Sequence, residues 1–194
     1  SPRNFNLIEL GAGNGEMMKV LLESFQNFPS FLESCNIIIH EKSPILISIQ
    51  KERLSKSKIN WVSQINKIQK NPSIFIANEF FDAMPIKQFK KYKSIWYEKF
   101  VNFENFTKAS FVEKKTDIKK IEKKLNFKIS QNQDFIEYSE SGLDYLKNIS
   151  NFIKKNTGGL LLIDYGNLDK RMKNTLQAVS NHKFANILSD IGRV

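Results

Sequence analysis

The sequence contains one cysteine, Cys35, in 194 residues. That excludes an internal disulfide and a cysteine metal cluster, and it suits a reducing compartment, cytoplasmic in a bacterium or the mitochondrial matrix in a eukaryote. Histidine is almost as scarce, at two residues, and no His, Cys and Asp arrangement has metal-ligand spacing. No apolar run approaches the roughly 18–20 residues of a membrane-spanning helix. Arginine is also rare: Arg3, Arg53, Arg171 and Arg193 are the only four among 30 basic residues. A net charge of +10 invites a nucleic-acid partner, yet readers of phosphates and base edges favour arginine forks, and none cluster here. Abundant Lys, Asn, Ile and Phe is also what AT-rich coding DNA produces, so nucleic acid is not the expected partner. Ser1-Pro2-Arg3 runs almost directly into a strand and Val194 ends a segment with no closing element, so a longer native chain is expected.

What remains is a soluble, globular composition, 41 % hydrophobic and 26 % charged, with length for one ordinary domain core. Residues 6–10 (NLIEL) read as a short buried strand stopped by Gly11-Ala12-Gly13-Asn14-Gly15. Met17, Met18, Leu21, Leu22 and Phe25 then recur at helical spacing through Phe28, and Pro29 ends the pattern. Residues 36–40 form a second β-branched run, after which Ser43 can cap a helix and Pro44 can take its first turn. Ile45, Leu46, Ile49 and Leu54 supply that helix's apolar side. Residues 59–62 and 73–77 read as two further buried strands. This alternation predicts an α/β fold with a doubly wound, mostly parallel sheet.

The rhythm changes after Pro85. From residue 86 to 114 aromatics alternate with polar residues, which predicts antiparallel hairpins inserted into the core. Trp96, Tyr97, Phe100 and Phe103 read as hairpin core, not as a binding platform. A lysine-rich helix is expected over 117–125, and Leu143, Leu146, Ile149 and Ile153 mark an amphipathic helix ended by Gly158-Gly159. Residues 160–163 read as a fifth buried strand, stopping at Asp164-Tyr165-Gly166. The expected organisation is 1–85 for the half of the core that carries the glycine loop, 86–138 for the inserted hairpins and helix and 139–194 for the second half.

The glycine loop carries the most information. Glycines at a strand-to-helix turn let the backbone bend sharply and approach a ligand. A dinucleotide fingerprint needs a further glycine at its sixth position; counted from Gly11 that position is Glu16, a side chain and a carboxylate where phosphates would lie. A nucleoside ligand without phosphates meets no such objection. Glu41, at the end of the second strand, can accept ribose hydroxyls, or it can serve as an entry charge for the helix behind Ser43. The segment Asn78-Glu79-Phe80-Phe81-Asp82 leaves the fourth strand at the crevice. In a short helical turn Glu79 and Asp82 would share a face, able to grip a guanidinium or to hold and deprotonate another nucleophile; either could instead cap the following backbone, and Phe80 and Phe81 read first as core.

ELGAGNGEM, HEKSPIL, ANEFFDAMPIKQF, LLIDYG and TLQAVSNHKFANILSDIG, in that order, resemble the MidA-like methyltransferases. That family includes the mitochondrial complex I assembly factor that methylates arginine on a complex I subunit. The resemblance covers nearly the whole chain outside 100–159. It implies a class I methyltransferase sheet, S-adenosyl-L-methionine as donor, and a protein substrate such as a respiratory complex I subunit. It also implies donor binding by Glu9, Gly11, Ala12, Gly13, Gly15, Glu41 and Asn78, with Glu79 and Asp82 as catalytic residues. Ala12 stands where the family usually has proline. His182 matches a family histidine and is a candidate for touching substrate. The expected activity is methyl transfer to a protein, on an arginine nitrogen; the rivals are a non-catalytic donor-binding assembly factor and a nucleic-acid methyltransferase.

Overall fold

The computed structural model describes residues 4–104, 108–128, 133–166, 168–181 and 183–188. In chain order the elements begin with β1 (Phe5–Leu10), α1 (Glu16–Phe25), α2 (Pro29–Ser34), β2 (Cys35–His40), α3 (Pro44–Arg53), β3 (Ile59–Val62) and β4 (Ser73–Asn78). There follow β5 (Lys87–Tyr92), β6 (Ile95–Glu104), β7 (Lys108–Thr116), α4 (Ile118–Leu125) and β8 (Phe135–Tyr138). Then come α5 (Glu140–Asn156), β9 (Gly158–Ile163), β10 (Ala178–Ser180) and β11 (Lys183–Ala185). Contacts divide the chain into two units, 1–84 with 141–166, and 85–140 with 167–194. The described residues between 168 and 188 therefore fall in the second unit, whereas the sequence pattern groups 139–194 with the α/β core.

The first unit is a five-stranded parallel sheet in the order β3-β2-β1-β4-β9. Parallel strands need crossovers, and helices on both faces bury both sides of the central strands. Ile37, Ile38 and Ile39 are all buried for that reason. One face packs Leu7, Ile37, Ile39 and Ile76 against Met18 and Leu22 of α1; the other packs Ile8, Leu10, Ile38, Phe75 and Ala77 against Ile149 of α5. Full burial of one such side chain contributes about 1.5–3 kcal/mol. The chain runs outward from β1 to β3, then returns to the other side of β1 with β4. The reversal falls between β1 and β4, where sheets of this kind bind ligands beyond the strand ends.

The second unit holds an antiparallel sheet in the order β7-β6-β5-β8, with β10 and β11 forming a short antiparallel pair. Both sheets agree with the expected α/β core and inserted hairpins. Phe100 and Phe103 depart from expectation: they are exposed on the outer part of the β6–β7 ribbon rather than forming its core.

Other departures have local causes. The first helix stops at Phe25, leaving Phe28 exposed, and Pro29 opens α2 rather than only ending a helix. Proline suits the first turn, where its missing N–H costs nothing. In α3 the Ser43 hydroxyl accepts from the Leu46 N–H at 3.3 Å, the expected cap, but Ile45 and Ile49 are exposed, and the buried positions are Gln50 and, at the C-cap, Leu54. Leu143 of α5 is exposed too. The strand at 160–163 forms but is not buried: β9 pairs only with β4 among the described residues, and Leu161, Leu162 and Ile163 lie exposed on this outer strand. Nor does Gly158-Gly159 end α5. Thr157 takes the left-handed step at φ +63°, and both glycines belong to β9.

Gly158 is required there for space as well as conformation. Its φ is +130°, and an added Cβ would lie 1.9 Å from the Ser73 carbonyl oxygen of β4. Gly159 has open space. Gly158→Ala should lower stability by more than about 3 kcal/mol in urea unfolding, while Gly159→Ala should cost less than about 1 kcal/mol. Equal effects would contradict this packing of β9 on β4.

Candidate functional site

β1 ends in a turn built from three left-handed glycines, Gly11 at φ +63°, Gly13 at +54° and Gly15 at +82°. L-residues with a Cβ pay to enter this region, which accounts for the glycine spacing. The surroundings differ at each. A Cβ on Gly11 would lie 2.7 Å from the Phe80 ring, and one on Gly15 would lie 3.3 Å from a Leu54 methyl, whereas Gly13 faces open space. The Gly15 N–H donates to the Ala12 carbonyl at 2.7 Å, and the Gly11 N–H donates to the His40 carbonyl at 3.0 Å, tying this turn to the end of β2. Glu16 pairs with Arg53 of α3.

Two buried carboxylates stand beside the turn and differ in how they are satisfied. Glu9 is 3 % exposed and its Oε2 has no hydrogen-bond partner among the described residues. Burial pushes its carboxyl up to about 7, because a low-dielectric setting disfavours the charged form. Glu41 is 8 % exposed. Its Oε1 accepts from the backbone N–H groups of Lys42 at 2.7 Å and Ser43 at 2.9 Å, and its Oε2 accepts a long 3.4 Å contact from Gln50. Glu41 therefore does receive the N–H groups leading into α3, and Oε2 keeps capacity for a further donor.

Beyond β4 the chain is not helical. Glu79 takes a left-handed φ of +47°, its N–H donates to the Ile163 carbonyl at 2.9 Å, and a turn follows in which Met84 N–H donates to the Phe81 carbonyl at 3.2 Å. The expected helical turn is replaced because Phe80 folds inward. Its ring packs edge-on against His40, Tyr145 and Phe81, at centroid distances of 6.3, 5.2 and 5.3 Å. Glu79 and Asp82 are left exposed, and Asn78 is half-buried at the strand end.

They do not stand alone. Asp164, just after β9, accepts from the Asp82 N–H at 3.2 Å and from the Tyr165 N–H at 2.8 Å. The Tyr165 hydroxyl donates to Glu79, whose negative charge raises the phenol, with further contributions from Asp82 and Asp164. Desolvation, then Asp164 and Glu79, raise the Asp82 carboxyl. Three carboxylates and a phenol thus gather at the ends of β4 and β9, an arrangement that favours a cation. Like charges this close reinforce one another's demand for one.

The sequence does not single out Gln50 or Trp61, and it marks Tyr165 only as part of the Asp164-Tyr165-Gly166 strand end, with no role of its own. For Gln50 a signal existed: it sits four residues from both Leu46 and Leu54, a polar residue on the inward face of α3. His182 lies outside the described residues. A groove of about 870 Å³, lined by His40, Lys42, Gln64, Tyr145, Asn148 and Lys155 among others, reaches Lys42 beside Glu41 but includes no residue of the 11–15 turn. Among the described residues no group of His, Cys, Asp and Glu could hold a metal, and no helix is long and apolar enough to cross a membrane.

A family model described as "Putative S-adenosyl-L-methionine-dependent methyltransferase" matches residues 1–194. A Xenopus tropicalis protein named "Protein arginine methyltransferase NDUFAF7, mitochondrial" is 28 % identical, the match covering 98 % of this chain and 50 % of that protein. The human protein of the same name is 25 % identical over 95 % of this chain and 47 % of its own length. Two crystal structures from Burkholderia thailandensis share the fold. One superposes with a TM-score of 0.66 at 18 % identity, covering 85 % of this chain and 44 % of that one. The other, bound to S-adenosyl-homocysteine, has a TM-score of 0.63 at 18 % identity, covering 85 % and 43 %. The chain spans about half the length of the curated relatives it matches.

The Glu9 environment predicts a pH dependence of stability. With the folded carboxyl raised from 4.5 to about 7, the neutral form favours the fold. That stability is fully present below about pH 4.5 and is lost as pH rises through about 7. Glu9→Gln is neutral throughout, so it should match the wild type near pH 4 and exceed it at pH 8 by on the order of 1–3 kcal/mol. Urea unfolding across that range reads the difference, and parallel profiles for the two proteins would contradict a buried, unpartnered carboxyl.

Proposed function

The chain belongs to this family of S-adenosyl-L-methionine-dependent methyltransferases, and from that premise we propose that it forms the donor and acceptor sites of a protein methyltransferase acting on arginine nitrogen. The observation that carries the proposal is the carboxylate group of Glu79, Asp82 and Asp164, held next to the glycine turn because Phe80, between Asn78 and Asp82, packs on Gly11. The names of the relatives, protein arginine methyltransferases, support the choice of acceptor.

The residues beside the turn fit the donor. Gly13 leaves open space above the loop, the buried Glu9 Oε2 lacks a partner and suits the donor's amino group, and Glu41 Oε2 can accept from a ribose hydroxyl. Asn78 stands at the end of β4, at the switch point. When bound, S-adenosyl-L-methionine supplies a methyl carbon activated by its sulfonium.

The acceptor end is the work of the second group. A guanidinium presents a planar fork of N–H donors that matches carboxylates. Glu79 would receive it in place of the Tyr165 hydroxyl, and Asp82 and Asp164 would balance its charge. The acceptor nitrogen must shed a proton as it gains a methyl group. Asp82, with its carboxyl raised by desolvation and its acidic neighbours, is placed to take it. Holding the nitrogen in line with the methyl carbon would do much of the work.

Glu79→Gln keeps shape and removes charge. In the full-length protein, assayed by transfer of a labelled methyl group to host lysate proteins, turnover should fall on the order of 100-fold or more. Affinity for S-adenosylhomocysteine should change by less than about threefold. Wild-type turnover in the variant would remove Glu79 from the acceptor site, and loss of donor binding alone would move it to the donor pocket.

A further inference from the structure

The glycine turn and Glu41 reach the crevice from different strands, and one buried side chain touches both. Gln50 lies in α3 with no exposed surface. Its Oε1 accepts from the Trp61 indole N–H at 2.9 Å, and an indole nitrogen can only donate. That contact settles the orientation of the amide, so Nε2 points the opposite way. There it donates to the Gly13 carbonyl at 2.8 Å and toward Glu41 Oε2 at 3.4 Å. Both amide protons are used, as a buried amide requires.

We infer that Gln50 is a positioning residue for the methyl donor, an amide clamp that sets the Gly13 carbonyl and the Glu41 carboxylate in register with each other. The inference rests on the reading of the 11–15 turn and Glu41 as the donor site. Among the described residues nothing packs on the Cβ side of Gly13, so the direction of its peptide depends on its hydrogen bonds, and Gln50 supplies one. Glu41 Oε1 is committed to two backbone N–H groups, which leaves Oε2 as the oxygen for a ligand hydroxyl. The long Gln50 contact steers Oε2 without saturating it, since a carboxylate oxygen accepts two bonds. Trp61, in β3, locks the clamp from behind. An apolar residue would fill the same place on α3 without the cost of burying an amide. What it could not do is couple two ligand-facing groups.

The test is calorimetric titration of the full-length protein with S-adenosylhomocysteine. Gln50→Met keeps length and burial but removes both N–H donors, and its affinity should fall about tenfold or more. Because Gln50 acts partly through Glu41, the same substitution made on Glu41→Ala should weaken binding by at least about threefold less. A purely structural residue would show no such coupling. Trp61→Phe leaves the amide but removes its anchor, and should weaken binding by about threefold. If the wild type fails to bind, the donor-site reading falls and the inference with it. If the wild type binds and folded Gln50→Met binds within about twofold, or the two substitutions act independently, Gln50 is packing and only the inference is overturned. Should Gln50→Met not fold, unchanged affinity in Trp61→Phe overturns the inference in its place, and the expected loss supports it.

Discussion

The Phe80 ring occupies the space that a side chain at Gly11 would need, and this contact joins the two halves of the crevice. A Cβ at Gly11 would come within 2.7 Å of the ring, so the left-handed turn after β1 and the inward fold of the chain after β4 require each other. Phe80 is held in turn by His40 and Tyr145. His40 is itself buried, its imidazole lowered first by desolvation, and its carbonyl receives the Gly11 N–H. Once Phe80 is inside, its neighbours Glu79 and Asp82 are carried to the surface beside the turn. The separation between the glycine turn and the acidic group is thereby a packing result, set in the aromatic core and not by the charged residues.

The three acidic environments around this contact divide the chemistry. Glu9 is buried with one oxygen unpartnered among the described residues, a cost that a ligand ammonium would relieve. Glu41 is buried but met by two backbone N–H groups and the Gln50 amide, so it is held still rather than left wanting. Glu79, Asp82 and Asp164 stand where water reaches them and reinforce one another's demand for a cation. The first two stand at the ends of β1 and β2, and the β4 and β9 ends gather the third group.

Much of this could be read before any coordinates. The strand at 6–10 with its glycines, the Ser43 cap and the strands at 59–62 and 73–77 are local signals, set by turn chemistry and short apolar runs. That glycines let the chain bend sharply after the first strand followed from the same reasoning; their left-handed φ is seen only in the structure. What escaped was the part that depends on partners distant in sequence. Gln50 reads as an ordinary polar helix residue until Trp61 and Gly13 are brought to it. The geometry after Asn78 could not be seen as non-helical, because what bends it is Phe80 finding Gly11 and Tyr145, 69 and 65 positions away in sequence respectively. Leu161 and Ile163 have a buried strand's composition, yet their exposure depends on which strand lies next to β9, and no local pattern encodes that.

The proposed donor site lies in the crevice between β1 and β4, with Glu9 and Glu41 at its two ends. A crystal structure of the full-length protein with S-adenosylhomocysteine tests it most directly. The amino group is expected within hydrogen-bond distance, about 2.7–3.2 Å, of Glu9 Oε2 and a ribose hydroxyl at the same range from Glu41 Oε2, over an unshifted Gly13. Ligand density in the groove lined by Gln64, Asn148 and Lys155, with Glu9 Oε2 still unpartnered, would contradict it.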